Sequence, residues 1–297
     1  MKIKILLLGR FGRVGDALFK TLSIMPGVDL FVFSSYSLSK KHIWGNNFID
    51  INILDFVALK KEILRIEPRI IINCAAFTNV DEAERKKSEC WNLNVTLVEK
   101  LAQLSSSLEA HLIHFSSDYI FNGNSGPYYE DAKPNPINYY GKSKLASENI
   151  ILSKLNDFSI IRTNFLYGNS DLYNPTFVNS VYNNLKQGKQ INVVNSLYSC
   201  PVFTKDISIG VKELILQQFS GIVNFAGPEY LSRFEIALKI CDFFKFDKNN
   251  IKEANISDIG FEAKRPIKAG LNSEYAQKKL GIIFNNFSDC LNEMNFK

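Results

Sequence analysis

The chain has 297 residues, 46% hydrophobic and 22% charged, a composition that excludes a disordered or collagenous protein and supports one large domain or two sharing a cleft. Against 30 Asp and Glu stand 35 Lys and Arg, giving a formal charge of +5, but the basic residues form no dense block and do not cluster with aromatics, so a nucleic-acid module is disfavoured. Five scattered cysteines (Cys74, Cys90, Cys200, Cys241 and Cys290) make no CxxC pair, which argues against a disulfide framework or a metal site and for a reducing, cytoplasmic setting.

In chain order, Lys2 to Leu8 is an apolar, branched run too short to cross a membrane and read as a buried strand. Glycines follow at once, then an amphipathic helix to about Ile24. Strands are expected at Asp29–Phe33 and Phe48–Ile51, a helix at Leu54–Ile66, and a strand at Arg69–Asn73 after Pro68. Residues 81 to 108 hold one or two helices, and His111–Phe115 is a strand leading into a polar loop that runs to about Asn138. A helix from Tyr140 to about Leu155 and a strand at Ser159–Arg162 complete the series. Alternating strands and helices predict a doubly wound parallel sheet, Rossmann-like, in an α/β fold. Beyond Gly168 the rhythm loosens, with helices expected at 176–187, 205–217, 233–244 and 273–280 and short strands at 191–194 and 221–225. The expected division is a dinucleotide-binding domain over residues 1–165 and a smaller mixed α/β substrate-binding lobe over 166–297, some of which returns to the first domain.

Gly9, Gly12 and Gly15 form GxxGxxG between the first strand and the first helix. In that position a first glycine allows the tight turn, a second lets a pyrophosphate approach the backbone, and a third permits close packing of the helix, whose free N–H groups face the phosphates. A glycine-rich turn without a ligand is the plainer alternative, weakened by the strand–turn–helix context. The second strand ends in Phe33-Ser34-Ser35-Tyr36, without the acid that would favour NAD. Ser34 and Ser35, with Arg10, Arg13, Lys40 and Lys41 as sources of positive charge, tilt the expectation from NAD(H) towards NADP(H).

Tyr140 and Lys144 are four residues apart near a helix start, on one face. An ammonium beside a phenol lowers its pKa and makes it a better proton donor and acceptor. Ser117, just after the fifth strand, is placed to hydrogen-bond the same substrate oxygen. Singly, each has a plainer reading: a surface ring, a solvated lysine, a turn cap. Their order along the chain, glycine turn, serine loop, Tyr-Lys helix, is harder to dismiss.

The segments GRFGRVG at 9–15, INCAAFTNVDEAE at 72–84, HFSSDYIFNG at 114–123, YYGKSKLASE at 139–148, IIRTNFLYG at 160–168 and KRPIKAGLNSEYAQKKLG at 264–281 carry a resemblance over nearly the whole chain. It resembles the extended short-chain dehydrogenase/reductase superfamily and, within it, the dTDP-4-dehydrorhamnose reductase family. The resemblance implies that Gly9, Phe11, Gly12, Arg13, Val14 and Gly15 bind the cofactor pyrophosphate, that Asp50 and Ile51 contact adenine, and that Cys74, Ala75, Ala76 and Thr78 line the cofactor. It implies Asn94 as a structural asparagine and Ser117, Tyr140 and Lys144 as the catalytic set. Asp118, Tyr119, Asn164 and Arg265 would lie near the substrate, a nucleotide-linked 4-keto deoxysugar. Hydride would pass to the carbonyl carbon, Tyr140 would protonate the oxygen, Ser117 would polarise it, and Lys144 would bind the nicotinamide ribose. Many family members are homodimers. Some use a divalent metal at a dimer contact through acidic residues; the pattern does not place that set in this sequence, and no metal is expected.

The chain departs from the family pattern at Asn164-Phe165, where rhamnose enzymes tend to have Ser-Trp, and at Asn195-Ser196 and Pro201-Val202, in place of Asp-Gln and Pro-Thr. These departures bear on the sugar and its carrier. Two alternatives to a reductase stay open: an NAD(P)-dependent nucleotide-sugar epimerase, and a non-catalytic NADP-binding regulatory subunit.

Overall fold

The computed structural model describes residues 2–34, 47–169, 176–294 and 296. Its first six sheet strands are β1 (Ile3–Leu8), β2 (Val28–Ser34), β3 (Phe48–Asp50), β4 (Ile70–Asn73), β5 (His111–Ser117) and β6 (Phe158–Thr163). The helices between them are α1 (Arg13–Leu22), α2 (Phe56–Ile66), α3 (Val80–Arg85), α4 (Lys87–Trp91), α5 (Leu97–Leu108) and α6 (Tyr139–Lys154). The C-terminal part adds β7 (Leu166–Tyr167), α7 (Phe177–Lys186), β8 (Ile191–Val194), β9 (Tyr198–Ser199), β10 (Val202–Phe203), α8 (Thr204–Leu216), β11 (Gly221–Phe225), β12 (Leu231–Ser232), α9 (Arg233–Phe244), β13 (Ile251–Ala254), α10 (Glu274–Leu280) and α11 (Phe287–Leu291).

Seven strands form one parallel sheet in the order β11-β6-β5-β4-β1-β2-β3, the doubly wound arrangement expected from the alternating pattern. Its inner strands are largely apolar, β4 reading Ile-Ile-Ile-Asn and buried along its whole length, because helices cover both faces. One face packs α1, α8 and α10 through Leu18, Leu22, Val211, Leu214 and Leu280. The other packs α2, α5 and α6 through Leu59, Ile63, Leu101 and Ile151. A third cluster, with Val178, Val181, Ile236 and Ile240, holds α7 and α9 together in the C-terminal part. β11 lies in the central sheet, in register with β6 from Gly221↔Ser159 to Phe225↔Thr163, so the C-terminal half contributes a strand to the main sheet.

The stretch read as one or two helices over 81–108 is broken more finely. Between α4 and α5, Asn92–Thr96 widens into a π-helical turn, a local expansion that often accompanies a functional position. The helix expected from Leu54 begins at Phe56 because Asp55 caps it, accepting hydrogen bonds from the Val57 and Ala58 N–H groups. No helix among the described residues is long and apolar enough to cross a membrane.

Candidate active site

The glycine turn sits where β1 meets α1, and its glycines are required by backbone contacts. Gly9 has φ +81°, and a side-chain carbon there would lie 2.6 Å from Ala75 N and Cys74 C, so its absence lets the end of β1 abut the end of β4. A carbon on Gly15 would stand 2.1 Å from the Gly9 carbonyl oxygen. The turn is thereby drawn under the first turn of α1, whose N-terminal N–H groups open onto a cleft of about 550 Å3. Phe11, Gly12, Arg13 and Val14 line it on one side, and Cys74, Ala75, Ala76 and Thr78 on another. A cleft of this size with one helix N-terminus and a mostly apolar wall fits a dinucleotide.

Of the other cofactor candidates, Ser34 and Asp50 end adjacent strands and pair in register, and Ile51 follows in the core; Phe33 and Ile53 provide the cleft wall nearby. Ser35, Lys40 and Lys41 lie outside the described residues. Arg10 is buried, ion-paired with Asp16 and stacked 4.2 Å over the Phe19 ring; both it and Arg13 line the cleft.

A second, smaller pocket of about 170 Å3 adjoins the cleft, lined by Ser117, Asp118, Tyr119 and Arg233 among others. Tyr140, Asn164 and Phe165 line both spaces. The Tyr140 ring meets Tyr119 edge-on at 5.8 Å, and Ser117 lines the small pocket beside it. Ser117 is the last residue of β5, and its Oγ accepts the Tyr119 N–H at 3.2 Å, capping the 3-10 turn Asp118–Ile120. The plain cap reading and the candidate catalytic role thus fall on the same hydroxyl.

Lys144 behaves differently from the sequence expectation. Its Nζ turns back to the sheet, donating to the Phe115 carbonyl at 2.6 Å and standing 3.3 Å from His114 Nε2. Burial pushes its pKa down to about 8, against the opposing pull of Glu148. Burial pushes the Tyr140 phenol up, with Ser117 opposing, while the Lys144 ammonium is held by the Phe115 carbonyl. Asp118 is also perturbed: burial raises its carboxyl to about 6, countered by the Gly270 N–H and the Ser117 hydroxyl.

Asn94 occupies the π-helical turn and clamps the segment after β4. Its Oδ1 accepts the Phe77 N–H at 2.8 Å, and its Nδ2 donates to the Phe77 carbonyl at 3.1 Å and to Ser143 Oγ at 2.9 Å. The Asn164 amide is 8% exposed, and both its oxygen and its nitrogen lack a hydrogen-bond partner among the described residues. An unsatisfied buried amide on the wall common to both spaces fits a ligand-binding position.

Arg265 does not line the Tyr140 pocket, although its charge acts on Tyr119 and Arg233, which do. Its Nη2 donates to Asp81 Oδ2 at 2.5 Å, its guanidinium lies 4.5 Å over Phe261, and it lines a separate depression with Asn122 and Gly123. The cation in the Tyr140 pocket is Arg233, which the sequence reading placed only as a helix start. The signal was Ser232-Arg-Phe-Glu235, a capping box in which the Ser232 hydroxyl and the Glu235 carboxylate each take the other residue's N–H.

The profile of the RmlD substrate binding domain matches residues 2–296. The chain belongs to that family. Its fold superposes on the dTDP-4-dehydrorhamnose reductase of Bacillus anthracis strain Ames in complex with NADP, with a TM-score of 0.86 at 26% identity over 99% of both chains. A hypothetical dTDP-4-dehydrorhamnose reductase from Sulfolobus tokodaii gives 0.84 at 32% identity, covering 97% of this chain and 98% of that one. Among curated proteins, methionine adenosyltransferase 2 subunit beta of Xenopus tropicalis is 31% identical over 84% of this chain and 78% of its own length. The dTDP-4-dehydrorhamnose reductase of Sinorhizobium fredii is 29% identical over 75% of this chain and 78% of its own length.

Proposed function

We propose that the protein reduces the keto group of a nucleotide-linked deoxysugar with NADPH or NADH. The observation that carries this is the place of Tyr140: it lines both the large cleft behind the glycine turn and the small pocket beside it. Residues 1–165 would hold the dinucleotide and 166–297 mainly the substrate. In this reading Gly9 to Gly15 and the N-terminus of α1 receive the pyrophosphate, Thr78 lines the cofactor, and Asn164 meets the substrate. When bound, the reduced cofactor supplies the hydride. Tyr140 gives its phenol proton to the carbonyl oxygen, and Ser117 donates a hydrogen bond to that oxygen as charge develops on it. Lys144, one turn further along α6, would have to release the Phe115 carbonyl to hold the nicotinamide ribose. The strand end without an acid, together with Arg13, favours the phosphorylated cofactor.

A second reading is favoured by the likeness to methionine adenosyltransferase 2 subunit beta: a cofactor-binding subunit that serves a partner enzyme and turns over no sugar. A screen of NADH and NADPH against 4-keto-6-deoxy sugars on dTDP, GDP, UDP and CDP tests both. Cofactor oxidation with one sugar nucleotide supports the reductase. Cofactor binding without oxidation across the panel overturns it and favours the subunit reading, and interconversion of sugar isomers without net redox change would identify an epimerase.

A further inference from the structure

Three arginines deep in this half of the molecule differ in what neutralises them. Arg162 forks onto Glu148 and Arg265 pairs with Asp81. Arg233 forms no ion pair with a carboxylate among the described residues; its contact partners are neutral, and the Asp118 carboxylate acts on it at longer range. Its Nη1 donates to Ser199 Oγ at 3.0 Å, and its guanidinium lies 3.7 Å over the centre of the Phe165 ring. Both partners are fixed by the fold. β12 pairs antiparallel with β9, placing Ser232 opposite Tyr198 and Leu231 opposite Ser199, and the Arg233 N–H donates to the Leu197 carbonyl at 3.0 Å.

A guanidinium has five donors in a planar fork, and the bond to Ser199 uses one of its N–H groups. The ring beneath it holds the cation by its face and leaves the edge free for an in-plane acceptor. The side chain lines the 170 Å3 pocket together with Ser117 and Tyr140. Asp118, the acid in that pocket, has its two oxygens on Ser117 and the Gly270 N–H. Phe165 is also one of the positions at which the sequence departs from the rhamnose-enzyme pattern, so the aromatic seat of this cation belongs to the part of the site where this chain differs.

We propose that Arg233, seated on Phe165 and tethered by Ser199, is the anion anchor of the substrate pocket and receives an oxyanion of the substrate near the carbonyl that faces Tyr140. The proposal rests on the reductase reading for the identity of that carbonyl, but the anchor itself is testable by binding alone. The oxyanion has two sources: the phosphate joining sugar to nucleotide, or a carboxylate carried by the sugar. Both offer paired acceptor oxygens to an arginine fork.

The test is calorimetric titration of NADPH-loaded protein with dTDP, UDP, inorganic pyrophosphate and UDP-glucuronate, for the parent chain, Arg233→Lys and Arg233→Met. At least one of these anions is expected to bind the parent, to weaken about 10- to 100-fold in Arg233→Met as a charge-assisted contact is lost, and to recover partly in Arg233→Lys. NADPH affinity is expected to stay within about twofold in all three, which also shows that the variants fold. Equal weakening of dTDP and UDP-glucuronate in Arg233→Met assigns the oxyanion to the phosphate; dependence on Arg233 for UDP-glucuronate alone assigns it to the sugar. Anion binding unchanged in Arg233→Met, or no anion bound by the NADPH-loaded parent, overturns the proposal. Failure of the reductase reading would show separately, as Arg233-dependent anion binding without cofactor oxidation.

Discussion

Replacing Glu148 by glutamine removes one charge and almost no volume, and the structure predicts two effects at once. Glu148 and Arg162 form a two-pronged contact at 3.1 and 2.8 Å, with side chains 1% and 4% exposed. The third arm of Arg162 donates to the Glu130 carbonyl at 2.8 Å, so the guanidinium cannot swing to water. Breaking such a pair on one side leaves a buried charge uncompensated and costs about 3–5 kcal/mol, equivalent to a fall in Tm of roughly 6–20 °C for a chain of this size. Glu148 also lies one turn beyond Lys144 and opposes the burial that lowers that lysine to about 8. Without it Lys144 titrates lower, and the alkaline limb of kcat/KM for NADPH oxidation moves to lower pH. Urea unfolding and a pH–rate profile measure the two effects. The double variant Glu148→Met with Arg162→Met, which removes both charges, should regain most of the lost stability while keeping the pH shift. A loss below about 1 kcal/mol in Glu148→Gln, within the range of an exposed pair, or a double variant as unstable as the single one, would refute the reasoning.

Other outcomes follow from the same contacts. Tyr140→Phe removes the proton donor and leaves the ring on the cleft wall; turnover should fall about 10²- to 10⁴-fold with NADPH affinity unchanged in a fluorescence titration, and parent-like turnover would show that Tyr140 is misassigned. Gly15→Ala puts a methyl 2.1 Å from the Gly9 oxygen and 2.9 Å from the Arg10 Cα, both backbone; the turn must open, at a cost of about 1–3 kcal/mol, and NADPH affinity should drop at least about tenfold by the same titration. Asp118, raised from 3.8 to about 6, binds its proton more tightly folded than unfolded, so stability falls as pH rises between those values and the loss is complete above them. Asp118→Asn should therefore raise unfolding free energy by roughly 1–3 kcal/mol at pH 8 and by little at pH 4; a gain equal at both pH values would contradict that cause.

The central strands were readable because a parallel strand covered on both faces is rich in apolar residues, as Ile70–Ile72 shows, and the glycine turn because a residue at φ +81° with the backbone after β4 2.6 Å away tolerates no side chain. Such constraints act locally and leave their mark in consecutive letters. The fold class and the strand–glycine turn–helix unit were therefore legible in the sequence, and Ser117 and Tyr140 do line one pocket. The π-helical turn at Asn92–Thr96 was not, since it depends on where Asn94 finds the Phe77 backbone and Ser143.

The direction of Lys144 was decided by tertiary packing: four-residue spacing put it on the face of Tyr140, but the Phe115 carbonyl took its ammonium. The choice between two arginines was also a matter of long-range pairing. Arg265 stands in a recognisable motif, yet Asp81, 184 residues away, holds it at a separate depression. Arg233 stands in no motif beyond a helix cap, yet the β9–β12 pairing brings it to the pocket. Sequence by itself determined which residues carry charge and which backbone positions exclude a side chain, because those follow from covalent structure and near neighbours. Which charges are neutralised and which are left facing a ligand depends on groups far apart in the chain, and only the folded contacts decide that.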